Sequence, residues 1–206
     1  TILFSYTCNF TQVSEQLSPA KLMEWLNQGM AISVAAVTSH GGMVNKFTGD
    51  GMLAVFGAPI SSGKDRDAAQ ALAAARSIQR GIFDLNQTLK RRGSASLRLR
   101  IGIHSGVVLT GSLGSRERLE YAVIGDTVNC ASRLESLQKA RHQGLVRVLV
   151  SSTTLLLAGE SLEQTTLNDW GEITVTGRQE PLRVYELGHT DCAKGTPPAT
   201  PPANRN

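Results

Sequence analysis

Apolar residues recur at the spacing of a helix in one long stretch near the start of the chain. Ser18 and Pro19 supply an N-cap and a proline at the first helical position, and Gly41-Gly42 interrupts the pattern. The stretch is therefore predicted to be an amphipathic helix. Its apolar face consists of Leu22, Leu26, Met30, Val34 and Val37.

Three further helices are predicted from composition and from end signals. Asp65–Leu89 is rich in Ala, Arg, Gln and Leu, which are strong helix formers, and Gly93 lies just beyond its basic end. Asp126 begins a helix that runs to about Ala140. Thr153–Ala158 is predicted to be a short helix.

Nine shorter segments are predicted to be strands because they are apolar or alternate apolar with polar residues. Two of them form a hairpin around Gly49-Asp50-Gly51, residues that tolerate a tight reversal. Leu97–Ile103 and Gly106–Leu113 are predicted to pair with each other, with Leu119–Ile124 as an extension of their sheet. The hairpin strands are Met43–Thr48 and Met52–Phe56, and the other strands are Thr1–Ser5, Val146–Val150, Ile173–Thr176 and Leu182–Leu187.

This order of elements predicts an α+β fold in which an antiparallel-rich sheet carries helices on one face. Residues 1–187 are predicted to form one domain, and residues 188–206, which include TPPATPPANRN, a disordered Pro-rich tail. Because the chain opens on an apolar run without an initiator Met, we expect it to belong to a longer protein with upstream regulatory domains.

Charge and composition argue against several functions. The 206 residues carry a net charge of +4, and their basic residues are scattered among acids except at 90–92, so no nucleic-acid partner is expected. Three cysteines are too few and too far apart for a disulfide framework. No run approaches the roughly 20 apolar residues of a membrane span, and this sequence contains no basic-then-apolar pattern of a signal peptide. A cytoplasmic location without membrane contact is expected.

Asp50 is the first candidate for chemistry, because it stands at the tip of the predicted hairpin. Such a turn is rigid at its base and exposed at its tip, where a carboxylate can meet a hard cation. Taken alone, Asp is simply a favourable turn residue, and this is the simpler explanation.

Three segments favour a role for Asp50 in binding a cation over that of an ordinary turn residue, because they occur together and in order. They are GGMVNKFTGDGMLAVFG, LRIGIHSGVVLTGSLGS and YAVIGDTVNCASRLES. They resemble the catalytic domain of class III nucleotidyl cyclases, and the resemblance runs from Ile2 to about Leu187. It implies a ferredoxin-like or palm-like sheet. It also implies conversion of a nucleoside triphosphate into a 3′,5′-cyclic nucleotide and pyrophosphate, at sites shared between the two chains of a homodimer.

The resemblance also implies a metal site. In this family two aspartates hold two divalent ions, Mg²⁺ or Mn²⁺, which lower the pKa of the ribose 3′-hydroxyl and neutralise the leaving pyrophosphate. Asp50 matches the second aspartate. The first falls within Phe4–Thr11, where Tyr6 replaces it. A neutral phenol is a poor ligand for Mg²⁺, so Tyr6 is expected to be a packed aromatic residue that shields the pocket.

Base recognition is implied for two positions. Lys46 matches an adenine-reading lysine, because an ammonium donates to N1 of adenine and conflicts with the protonated N1 of guanine. Its partner position, normally Asp or Thr, is Ala122, which cannot accept a hydrogen bond. ATP is therefore the implied substrate, and GTP stays open.

Asn129 and Arg133 lie four residues apart on one face of a predicted helix. In the family the asparagine orients the ribose and the arginine stabilises the phosphate in the transition state. Arg178 resembles a late basic residue near the phosphates. Either Arg116 or Arg118 is a further candidate for contacting the polyphosphate.

A phosphate cradle is implied for the backbone amides of Cys8, Asn9 and Phe10, where the first helix begins. Two functions follow from these matches. The first is an adenylyl cyclase domain, and the second is a nucleotide-binding or dimerisation module in which Tyr6 has removed a metal site. A guanylyl cyclase is a third possibility, and a palm-like nucleotidyl transferase is a more distant one that VNCASRLES opposes.

Overall fold

The computed structural model describes residues 1–142, 144–159, 166–174 and 180–188, and it confirms the α+β class. The helices of the described part are α1 (Phe10–Ser14), α2 (Pro19–Ser39), α3 (Lys64–Arg91), α4 (Asp126–Ser136) and α5 (Ser152–Ala158). Its strands are β1 (Ile2–Thr7), β2 (Met43–Phe47), β3 (Gly51–Val55), β4 (Leu99–His104), β5 (Leu109–Gly114), β6 (Leu119–Ile124), β7 (Val146–Ser151), β8 (Leu167–Ile173) and β9 (Leu182–Leu187). A short 3₁₀ turn, Lys139–Arg141, follows α4.

A seven-stranded sheet in the order β2-β3-β1-β4-β7-β9-β8 forms the centre of the fold. Within it β4 and β7 run parallel, and the other neighbouring pairs are antiparallel. β1 lies between β3 and β4, so Tyr6 stands opposite Gly51 on one side and Arg100 on the other. The end of β1 therefore lies beside the β2–β3 turn.

Helices cover both faces of this sheet, so the prediction of helices on one face was wrong. Leu3 belongs to the large core that includes residues of α2, α3 and α5, whereas its neighbour Ile2 belongs to a cluster with Ala131 of α4. Both strand residues are fully buried, because successive side chains of a strand point to opposite faces. A continuous apolar run such as VLV in β7, residues 148–150, is typical of strands covered on both sides.

β5 and β6 form a separate two-stranded sheet, which corrects the predicted pairing of Leu97–Ile103 with Gly106–Leu113. β4 already has β1 on one edge and β7 on the other, so it has no free edge for β5. The chain leaves the main sheet after His104, and β5 pairs with β6 instead. This hairpin exposes four large aliphatic side chains, those of Leu109, Leu113, Leu119 and Ile124.

The fourth helix ends earlier than predicted, at Ser136 rather than about Ala140. A buried arginine of β7 explains the difference. Arg147 donates from Nη2 to the carbonyl oxygen of Glu135, in the last turn of α4, at 3.0 Å. It also donates from Nη2 to that of Leu137 at 2.6 Å and from Nη1 to that of Gln138 at 3.0 Å. Because the last carbonyl groups of a helix lack partners within the helix, this guanidinium completes the end of α4.

The strand predicted at Ile173–Thr176 overlaps the observed strand β8, Leu167–Ile173, at one residue, and its positions 175 and 176 lie outside the described residues. The β8 sequence LNDWGEI contains Asn, Asp and Gly, which are depleted in strands, so the pattern gave no signal. The pairing of β8 with β9 is irregular between Asp169 and Gly171, where Gly171 has a φ of +79° and its amide donates to Asp169 Oδ1 at 2.8 Å.

The predicted Pro-rich tail lies outside the described residues from position 189 onward. The domain boundary at residue 187 stays a prediction. Among the helices that the structure describes, none is both long and apolar enough to cross a membrane.

We expect Arg147→Met to lower the free energy of unfolding by about 3 kcal/mol, because the carbonyl groups at the end of α4 lose buried charged donors. Urea denaturation followed by circular dichroism measures the change. Arg92→Met, on an exposed arginine after α3, is the control and should stay within about 0.5 kcal/mol of the parent. Equal stability of the two variants would contradict this role for Arg147.

Candidate active site

The β2–β3 turn is held against the end of β1 by its backbone. Thr7 donates to the carbonyl oxygen of Asp50 twice, from its amide at 3.0 Å and from Oγ1 at 2.8 Å. Gly49 has a φ of +70°, which favours glycine. At Gly51 a Cβ would lie 2.6 Å from the carbonyl oxygen of Ser5, so a larger residue would push the turn away. These contacts fix Asp50 at one place.

Asp50 is buried rather than exposed, with 8% of its surface accessible. The expectation of an exposed turn tip was therefore wrong, because the turn folds back on the end of β1. Its Oδ2 atom is buried without a hydrogen-bond partner in the described part of the chain. An unsatisfied buried carboxylate oxygen is costly, so this atom is suited to a donor or a cation.

Tyr6 faces this carboxylate. Burial, then a hydrogen bond to the Asp50 carboxylate, and then its negative charge raise the pKa of the Tyr6 phenol. The guanidinium carbon of Arg100 lies 5.5 Å from the centre of the same ring. The phenol therefore stays neutral at physiological pH, and it supplies no carboxylate at the position where the resemblance implies one.

The donor set fits one hard cation better than a pair of cations. Asp50 offers a single carboxylate with a free buried oxygen, and Tyr6 adds a neutral phenol. In the described ranges no three His, Cys, Asp or Glu side chains come together as a metal cluster. A cation at Asp50 would therefore take its other ligands from backbone, water or substrate.

A buried ion pair supports the end of β1 from the α4 side. Arg100 Nε donates to Glu135 Oε1 at 2.7 Å, and Arg100 Nη1 donates to Cys8 Sγ at 3.3 Å. Burial raises the pKa of Glu135, and the charge of Arg100 opposes that rise. The prediction from sequence missed both charged residues. The alternation of arginine with apolar residues in LRLRI was the available signal for Arg100.

One of the three backbone amides of the predicted phosphate cradle already donates a hydrogen bond within the chain. The Cys8 amide donates to the carbonyl oxygen of Arg98 at 2.8 Å, so that amide is occupied. Asn9 adopts a left-handed conformation with a φ of +58° and precedes Phe10, the first residue of α1. Burial raises the pKa of the Cys8 thiol, which lies 3.4 Å from His142 Nδ1.

The two predicted base-recognition residues lie on neighbouring parts of the fold. β2 has an irregularity between Val44 and Lys46, and Asn45 Nδ2 donates to the carbonyl oxygen of Tyr121 in β6 at 2.7 Å. This contact joins β2 to the strand that carries Ala122, which is 7% exposed.

Lys46 meets a carboxylate on that strand. Its Nζ lies 4.0 Å from Glu120 Oε2, and Arg118 Nη2 donates to Glu120 Oε1 at 2.8 Å. Arg118, one of the two candidates for the polyphosphate, is thus bound to Glu120, and Arg116 is exposed in the β5–β6 turn. The approach of Glu120 to Lys46 was not predicted from the sequence, because the residues around Glu120 do not indicate that β6 will lie beside β2.

Asn129 and Arg133 lie one turn apart on the exposed face of α4, opposite the buried Cys130 and Leu134. Neither side chain has a hydrogen-bond partner within the described ranges, so both are available to a ligand. Arg133 lines a cavity of about 250 Å³ together with residues 173 and 174. The predicted phosphate ligand Arg178 lies outside the described residues.

The chain belongs to the family of adenylate and guanylate cyclase catalytic domains, whose model matches residues 1–188. The predicted resemblance is thereby confirmed. The fold agrees with that of adenylyl cyclase CyaB from P. aeruginosa, with a TM-score of 0.82 and 30% identity over 94% of this chain and 95% of that one. It also agrees with guanylyl cyclase Cya2, with a TM-score of 0.79 and 33% identity over 91% and 90% of the two chains.

Longer relatives contain the same domain. "Adenylate cyclase 1" of Rhizobium meliloti (strain 1021) is 31% identical over 187 residues, which are 91% of this chain and 27% of that protein. The chain thus spans about a quarter of the length of this relative. Since both adenylyl and guanylyl cyclases are similar to it, family membership does not choose between ATP and GTP.

We expect the pKa of Tyr6 to lie above its ordinary value near 10 and to fall in Asp50→Asn, which removes the facing charge. Because the unfolded chain releases this proton first, the folded state loses stability as the pH rises through that range. Ultraviolet absorbance titration of the tyrosines measures both effects.

Tyr6→Phe should remove the late-ionising tyrosine from that titration, and Tyr121→Phe should leave it. A titration in which every tyrosine ionises near the ordinary value would contradict the contact between Tyr6 and Asp50.

Proposed function

We propose that this domain converts ATP into 3′,5′-cyclic AMP and pyrophosphate as a homodimer. The observation that carries the proposal is the Asp50 carboxylate, fixed at the end of the central strand with one buried oxygen left without a partner. A carboxylate placed in this way beside a phosphate site is suited to holding a cation against a triphosphate.

Asp50 would hold Mg²⁺ or Mn²⁺. Such an ion, when bound, lowers the pKa of the ribose 3′-hydroxyl and offsets the charge of the leaving pyrophosphate. Tyr6 takes the place of a second carboxylate and shields the pocket from water. We therefore propose that the reaction depends on one carboxylate and proceeds more slowly than it would with two.

The base, the ribose and the reacting phosphate would be contacted by residues near β6 and on α4 of the other copy. Lys46 would donate to N1 of adenine, Asn129 would orient the ribose, and Arg133 would bind the phosphate whose charge grows in the transition state. The amides of Asn9 and Phe10 would bind the outer phosphates, with Arg178 as a further phosphate ligand. Ala122 would make no side-chain hydrogen bond to the adenine base.

The dimer is supported by the exposed apolar hairpin. Four large side chains of β5 and β6 are half or more exposed, which is unusual for a surface that stays in water. We propose that this hairpin packs against a second copy and that Asp50 of one copy faces Arg133 of the other. A single chain would then be inactive, and specific activity should fall on dilution.

A second candidate is favoured by Tyr6. If its neutral phenol blocks cation binding at Asp50, the domain would bind nucleotide or dimerise without turnover. In both cases we propose that the domain is the output module of a longer cytoplasmic signalling protein.

Turnover with Mn²⁺ and either ATP or GTP separates the candidates. We expect the parent chain to form cyclic AMP, and we expect Tyr6→Asp to raise kcat by about tenfold or more, because a second carboxylate can then hold a cation. Tyr6→Phe is the matched control, since it keeps the ring and adds no carboxylate, and it should not raise kcat.

A silent parent with an active Tyr6→Asp variant would favour the nucleotide-binding module. Absence of turnover in both chains with both nucleotides would contradict the cyclase function. Cyclic GMP formed as fast as cyclic AMP would contradict the adenylyl preference assigned to Lys46.

A further inference from the structure

The two residues proposed to contact adenine, Lys46 and Ala122, provide no side-chain hydrogen-bond acceptor for its 6-amino group. Adenine presents an acceptor, N1, beside a donor, the 6-amino group. Lys46 can serve N1 only, because an ammonium has no acceptor atom. Ala122 has no polar side-chain atom, so the amino group would lose its hydrogen bond to water without replacement. Such a loss lowers affinity.

A carboxylate lies close to this gap. Glu120 precedes Ala122 by two residues in β6, so the two side chains share one face of the hairpin. Glu120 Oε2 lies 4.0 Å from Lys46 Nζ, and the two side chains are 52% and 47% exposed. This separation is longer than a hydrogen bond, so Oε2 keeps its capacity to accept one.

One further contact holds the carboxylate of Glu120, and another holds the strand that carries it. Arg118 donates to Glu120 Oε1 at 2.8 Å, which engages one oxygen and leaves the other on the side of Lys46. Asn45 joins β2 to the carbonyl oxygen of Tyr121, the residue that follows Glu120. The strand irregularity next to Lys46 lies at the same junction.

We propose that Glu120 is the residue that recognises the 6-amino group of adenine, through Oε2, while Lys46 donates to N1. The inference rests on the proposed adenylyl function and adds a specificity residue to it. Acceptor and donor then stand side by side, as they do on the adenine edge. Arg118 acts as a positioning residue, because it fixes the other oxygen of the carboxylate.

Two nucleotides that differ in a single group test this contact. One is 3′-deoxyadenosine 5′-triphosphate, which lacks the attacking hydroxyl and cannot cyclise. The other is the matching 3′-deoxy purine riboside triphosphate, which lacks the 6-amino group. Dissociation constants of both are measured with Mn²⁺ by calorimetry, for the parent chain and for Glu120→Ala.

Loss of the acceptor should affect one ligand only. We expect Glu120→Ala to weaken binding of the adenine nucleotide by about tenfold and that of the purine riboside nucleotide by less than about twofold. Glu120→Gln, which keeps an acceptor oxygen, should recover most of the loss. Glu117→Ala, on an exposed carboxylate of the same hairpin, should leave both constants unchanged.

Equal weakening of both nucleotides by Glu120→Ala, or no weakening of either, would overturn the assignment and leave the proposed function intact. A parent chain that binds 3′-deoxyguanosine triphosphate more tightly, with a loss in Glu120→Ala, would overturn it in favour of the guanine N1–H. Failure of the parent to bind any of these nucleotides would contradict the proposed function itself.

Discussion

The position of β1 is the constraint on which the other features depend. It lies between β3 and β4, and its consecutive residues Ile2 and Leu3 are fully buried on opposite faces, one toward α4 and the other toward α2 and α3. A strand held in this way cannot shift its register without exposing apolar side chains. The residues at its end, Tyr6 and Thr7, therefore have fixed positions, and through Thr7 so does Asp50.

The candidate site accordingly lies at the end of a strand that is buried on both faces, and Asp50, the proposed cation ligand, is held beside that end. The elements that would contact the base are different. They come from a two-stranded hairpin that is joined to the main sheet through Asn45 and through the pair of Lys46 with Glu120. In the proposed function the central sheet thus positions the cation ligand, whereas selection of the base would depend on the position of the β5–β6 hairpin.

Local features of the fold and of the candidate site could be predicted from the sequence. Gly-Asp-Gly predicted the turn that presents Asp50, and the four-residue spacing of Asn129 and Arg133 predicted their shared face on α4. It failed where the answer depends on distant partners. The pairing of β5 was wrong because both edges of β4 were taken, and α4 ended early because Arg147 binds its carbonyl groups.

Burial of Asp50 and the approach of Glu120 to Lys46 escaped sequence reasoning for the same reason, since each requires knowing which strands meet. Arg178 and the predicted tail lie outside the described residues, so those expectations stay predictions. Tyr6 is the opposite case, because comparing a single residue with the family motif was enough to indicate the main departure of this site.

Mixing two inactive chains tests the composite site most directly. Asp50→Asn and Arg133→Ala, each made in the Tyr6→Asp background, are assayed for cyclic AMP alone and together. If Asp50 of one copy faces Arg133 of the other, each mixed dimer holds one intact site, and an equal mixture should recover about a quarter of the unmutated sites. A mixture no more active than either variant alone, beside an active Tyr6→Asp chain, would contradict the account.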